Sequence, residues 1–84
     1  MTSEDAYHRL TDVIRDVLGD DSIIIGPQTS AADIAGWDSV NHIAILVAVE
    51  MRFGIKFHTA EMEDLRNAGE LVALIQRKRN GARR

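Results

Sequence analysis

Tyr7, Leu10, Val13, Ile14, Val17 and Leu18 fall three or four residues apart, the stripe of an amphipathic helix. Thr2 or Ser3 can cap it, Glu4 and Asp5 suit its first turn, and Gly19 stands where a C-cap belongs, so a helix is predicted over about residues 4–18. Asp20, Asp21, Gly26, Pro27, Thr29, Ser30 and Gly36 then break any helix and predict a long loop over residues 19–37. Ile23, Ile24 and Ile25 are too isolated to pair as a strand and are expected to plug that loop onto the helices, keeping it ordered. Helical spacing resumes over Ser39–Phe53, with Asp38 as N-cap and Gly54 as the stop. After the extended link IKFHT, a brief helix near residues 60–66 should start at a Thr59 cap. Asn67 and Glu70 read as a capping box for a last helix through Ala73, Leu74 and Ile75 to about Arg79. The pattern predicts an all-α fold: a small bundle of three main helices plus a short fourth, with a long ordered loop between the first and second.

The second helix is apolar on two sides. At 100° per residue, Leu46, Val49 and Phe53 form one stripe, with Ile45 and His42 at its margins. Val40, Ala44, Val47 and Met51 form the opposite one, while Asn41, Arg52 and Glu50 sit on the flanks. Two readings stay open. Either the helix is central and covered all round, or the second stripe stays exposed as a docking strip for a partner protein.

Composition narrows the function. The chain has 84 residues, 45% apolar and 27% charged, which suits one globular domain, expected over residues 1–79. No apolar run reaches the ~18 residues of a membrane span, and the start MTSEDAYHR lacks the pattern of a signal peptide. The absence of cysteine excludes disulfides and thiolate metal sites and fits a cytoplasmic location. Residues 77–84, RKRNGARR, hold five of the ten basic groups and no acid. The rest of the chain sets thirteen acidic against five basic groups, a net of −8, which disfavours nucleic acid and favours basic protein surfaces. Residues 80–84 read as a solvated basic tail, and the whole as a monomer.

The remaining chemistry gathers in GWDSVNH, residues 36–42. Ser39 admits three readings. As a nucleophile it would use His42 as base, but Asp38 is poorly placed to orient a histidine one turn away, and so short a chain offers little wall for a substrate cleft. As a first-turn residue it would serve the helix end alone. As an attachment point it would place a phosphodiester at the positive end of the second helix, where an anion is stabilised. Trp37 is expected to pack against the bundle and fix the loop, and His42 either to pack beneath the turn or to touch such a phosphate. His8, His42 and His58 are scattered, with no pair at metal-ligand spacing.

GWDSVNHIAILVAVEMRFGIKF closely resembles the central region of acyl carrier proteins, whose signature is Asp-Ser-Leu at the start of the second helix. The resemblance extends to the helix order over about residues 4–79. It implies a carrier rather than an enzyme, with 4′-phosphopantetheine attached to Ser39 and an acyl group held as a thioester on its thiol. Asp38, Val40 and His42 would flank the arm, Asp38 helping a phosphopantetheinyl transferase and its metal ion to engage. Val40, Ala44, Val47 and Met51 would meet acyl-loading and acyl-using enzymes of a fatty-acid-like, polyketide or other specialised pathway. Leu46, Val49, Leu71 and Ile75 would shelter the chain. Val40 stands where the family usually has Leu, and only Glu50 remains of the acids that stud this helix in carriers of fatty-acid synthesis. Docking should therefore depend more on apolar contact than on charge. A peptidyl or aminoacyl carrier, and an unmodified helical interaction module, remain as alternatives.

Overall fold

The computed structural model describes residues 2–82. Four α-helices follow in order, α1 (Ser3–Leu18), α2 (Ser39–Phe53), α3 (Thr59–Glu63) and α4 (Ala68–Ala82), and no strand occurs among the described residues. α1 packs against both α2 and α4. Between them lies a core of apolar side chains alone, including Leu10, Ile14, Ile45, Leu46 and Ile75, all fully buried. Burying each such side chain contributes about 1.5–3 kcal/mol, and this burial rather than helix propensity holds helices of such modest length. No helix is long and apolar enough to cross a membrane among the described residues.

Helix ends follow local hydrogen bonding. Thr2, rather than Ser3, caps α1: its Oγ1 accepts from the Asp5 N–H at 3.1 Å. Gly19 and Gly54 close α1 and α2. α3 departs from expectation. Its cap is His58, whose N–H donates to Glu61 Oε1 at 2.8 Å, so Thr59 becomes the first helical residue and the helix stops at Glu63. At α4, Asn67 Oδ1 accepts from the Glu70 N–H, but Glu70 returns its bond to the N–H of Arg66 instead of Asn67. α4 then runs to Ala82, into the expected basic tail, whose last residues, Arg83 and Arg84, lie outside the described residues.

The loop after α1 is ordered by specific contacts. Ile23 and Ile25 are buried, whereas Ile24 is 80% exposed. An extended segment points successive side chains to opposite sides, so three consecutive isoleucines cannot all plug one core. A single 3-10 turn, Ala31–Asp33, follows. The loop carbonyls of Thr29 and Pro27 accept from the N–H groups of Ala68 and Gly69 at 2.7 and 2.9 Å. Those are first-turn donors of α4 that have no intrahelical acceptor. A Cβ at Gly69 would stand 2.7 Å from the Pro27 carbonyl oxygen, so only glycine permits this approach. The loop is thereby clamped to α4 and carries Ala31 and Trp37 toward the start of α2.

Candidate functional site

The site is the junction where the loop becomes α2. Asp38 has extended backbone and its Oδ1 accepts from the Asn41 N–H at 2.9 Å, which makes it the N-cap. Its carbonyl accepts from His42 N–H at 2.8 Å. The N–H groups of Ser39 and Val40 have no acceptor within the helix, so the partial positive charge of the helix end is concentrated beside Ser39. Ser39 is exposed.

Asn41 and His42 anchor the approaching strand of loop. Asn41 Nδ2 donates to the Gly36 carbonyl at 2.7 Å, and Gly36 turns the chain with φ 86°, a value suited to glycine. Trp37 is half-buried against the core, and its Nε1–H donates to His42 Nδ1 at 3.1 Å. The ring centroids lie 6.0 Å apart with planes inclined by 29°, so the two rings meet edge to edge through that bond. His42 Nδ1 is thus engaged by Trp37 and not by Ser39, which weighs against the nucleophile reading. No group of three or more His, Asp or Glu side chains able to hold a metal occurs among the described residues.

Beside Ser39 opens a pocket of about 550 Å³ that Asp38, His42, Ile43 and Leu65 also line. A smaller cavity of about 40 Å³ shares Ala31, Trp37, His42 and Leu65 with it and reaches Ala68 and Leu71. Of the four residues expected to shelter a chain, Leu71 lines this cavity, while Leu46, Val49 and Ile75 are packed in the core at 0% exposure.

Along α2, Ile45, Leu46, Val49 and Phe53 face the core. Val40 and Met51 are 78% and 80% exposed, Val47 is 47% exposed, and Ala44 is exposed too. Ile43, at 52%, extends this strip; its place beside Val47 on the helix wheel was the available signal. Both flanking charges are engaged. Glu50 Oε2 accepts from the Phe57 N–H at 2.8 Å, and Arg52 pairs with Asp16 of α1 at 2.7 Å. Glu50 thus serves the link after α2, a role its helical position could not reveal.

Comparison with known proteins gives consistent matches. The family described as the phosphopantetheine attachment site matches residues 8–75. Over 76 residues the chain is 30% identical to the meromycolate extension acyl carrier protein of Mycolicibacterium smegmatis, spanning 90% of this chain and 77% of that protein. Over 75 residues it is 25% identical to the acyl carrier protein of Thermotoga maritima, spanning 89% and 93%. Among solved structures, the solution NMR structure of a holo acyl carrier protein from Geobacter metallireducens superposes with a TM-score of 0.82 at 40% identity, over 87% of this chain and 84% of that one.

Proposed function

Since the chain belongs to the phosphopantetheine-attachment family and is an acyl carrier protein, we propose that Ser39 carries the arm and that the start of α2 is built to present it. The observation that carries this reading is an exposed hydroxyl at the positive end of a helix whose approach is fixed by four side chains. When bound, 4′-phosphopantetheine supplies a thiol that holds the acyl group as a thioester. The chain's own residues do the rest. The N–H groups of Ser39 and Val40, which have no acceptor within the helix, would stabilise the phosphodiester, and the Asp38 carboxylate, with one oxygen on the Asn41 N–H, would have the other for a metal ion brought by a phosphopantetheinyl transferase. His42 orients Trp37 through the hydrogen bond from the indole N–H, and a contact from His42 to the phosphate would use Nε2–H.

Acyl carriers of this family work with acyl-handling enzymes. In this chain the strip of Val40, Ala44, Val47 and Met51, widened by Ile43, adjoins Ser39 and is the surface such enzymes would cover. The side chains of the strip are all uncharged, which suits an apolar partner groove. The cargo belongs to a fatty-acid-like or other specialised pathway. Incubating the protein with coenzyme A and a broad-specificity transferase, then measuring intact mass, tests the assignment. One phosphopantetheine increment that Ser39→Ala abolishes is the expected result; an increment that persists in Ser39→Ala moves the attachment elsewhere.

A further inference from the structure

Gly36 and Asp38, the residues on either side of Trp37, are both tied to Asn41. The Asn41 side chain donates from Nδ2 to the Gly36 carbonyl at 2.7 Å, and its backbone N–H donates to Asp38 Oδ1 at 2.9 Å. The Gly36 carbonyl also accepts from the Asp38 N–H at 3.2 Å. These bonds close a ring of chain from residue 36 to residue 41, and Ser39 lies within it. Packing does not hold the turn: a Cβ at Gly36 would meet nothing within 4 Å, and Gly36, Asp38 and Ser39 are all exposed. The Trp37–His42 bond joins two side chains and does not reach the Gly36 carbonyl. We infer that Asn41 is a positioning residue for the modification of Ser39: its amide clasps the Gly36 turn and so fixes how the Ser39 hydroxyl and the Asp38 carboxylate meet a phosphopantetheinyl transferase. The inference rests on Ser39 being the attachment residue.

The chemistry sets what the clasp must do. In the transfer, Ser39 Oγ forms a bond to the coenzyme A phosphorus that bears the pantetheine. The bond from that phosphorus to the bridging oxygen breaks, adenosine 3′,5′-bisphosphate leaves with the electron pair, and the Ser39 proton passes to a base of the transferase. Such a displacement needs the attacking and leaving oxygens in line, so a junction fixed beforehand removes part of the orientational cost. The residue type follows from its partner. A carbonyl oxygen only accepts, so residue 41 must present an N–H; an aspartate would turn a second acceptor toward it, and an alanine would present nothing. One neutral hydrogen bond favours the clasped form by about fivefold. Ala44, Val47 and Met51 of the docking strip lie beyond the ring, so a transferase docks on either form. Loss of the clasp therefore appears in kcat rather than in KM.

The test compares wild type, Asn41→Ala, Asn41→Gln and Asn41→Asp as substrates of a broad-specificity transferase with coenzyme A in excess, and measures their urea midpoints. Asn41→Ala should lower kcat about fivefold at unchanged KM. Its urea midpoint should stay close to wild type, because alanine gains in helix propensity about what the bond contributed. Asn41→Gln keeps an amide on a longer stem and should restore most of kcat. Asn41→Asp should lose kcat as alanine does while keeping its fold, since an acid suits the first turn of a helix. Equal kcat in all four proteins overturns the inference. So does a raised KM at wild-type kcat, which would make Asn41 a contact for the transferase, or a kcat loss that follows a lowered midpoint, which would make its role merely structural. Hydrogen exchange of the Asp38 amide reads the clasp on unmodified protein: about fivefold faster exchange in Asn41→Ala than in wild type supports it, and equal rates remove it. Failure of the wild type to load tells against the attachment residue instead, and the exchange then decides the clasp alone.

Discussion

Leu46 and Val47 are neighbours on α2 with nearly the same chemistry, yet Leu46 is fully buried and Val47 is 47% exposed. The contrast holds along the helix. Ile45, Val49 and Phe53 join Leu46 under α1 and the rest of the bundle, while Val40, Ala44 and Met51 join Val47 outside. Hydrophobicity alone does not decide which face is covered; the placing of α1 and α4 does. One face contributes cohesion, and the other leaves apolar surface beside Ser39 at no benefit to folding. The largest expected effect follows on the inner face. Leu46→Ala should cost about 2–5 kcal/mol, read as a lower urea midpoint, because its fully packed site leaves a cavity on truncation. A loss below ~1 kcal/mol would mean the core closes over the gap and is softer than its burial implies.

The junction between the faces should respond at an intermediate level. Asp38→Ala removes the acceptor for the Asn41 N–H and should cost about 1 kcal/mol. Asp38→Asn keeps an oxygen at that place and should recover most of the stability. The two variants separate capping from charge: both should slow modification by a phosphopantetheinyl transferase if the carboxylate engages its metal ion. Asn restoring the rate along with the stability would reduce Asp38 to a cap.

Some of this was legible before the structure. α2 runs over the expected residues because a capping Asp, a periodic interior and a terminal glycine all agree. α1 differs by one residue at its start for the same reason. α3 was misplaced because five residues are too few to show an apolar period, and because its cap works through the His58 backbone N–H and the Glu61 carboxylate. The extent of α4 was hidden by a run of basic residues that looks like a solvated tail yet continues the helix. At the site, Asp38, Ser39, Val40 and His42 lie together simply because one turn of helix holds them. The Trp37–His42 bond was not legible: it depends on how the loop, clamped by Thr29 and Pro27 to α4, turns back at Gly36. Nor was the occupation of Glu50, whose partner is a backbone N–H seven residues away.

On the outer face, Val47→Ser and Met51→Ser should change stability by less than about 0.5 kcal/mol, since neither side chain is buried. Their effect should show in association, as a raised KM for the transferase or an acyl-using enzyme at unchanged fold. Added salt should weaken that association little, because Val40, Ile43, Ala44, Val47 and Met51 carry no charge. Strong salt dependence would locate docking on the acidic surfaces of other elements.

The smallest effect belongs to a contact far from either face of α2. Lys78, 2.6 Å from Glu61, holds that carboxyl below its ordinary value, and the His58 N–H at 2.8 Å lowers it further. A depressed value in the folded state means that this tie between α3 and α4 stabilises fully above the ordinary 4.5 and is lost as pH falls through the folded value. Glu61→Gln keeps an oxygen for His58 but not the charge, so a small stability difference from wild type should be present at neutral pH and vanish in acid. The inner face of α2 should not share that dependence, because the buried side chains among the described residues are all apolar. If Leu46→Ala instead became more damaging as the carboxyl was protonated, α3 would be coupled to the core through α4, and the two faces of α2 would not be energetically separate.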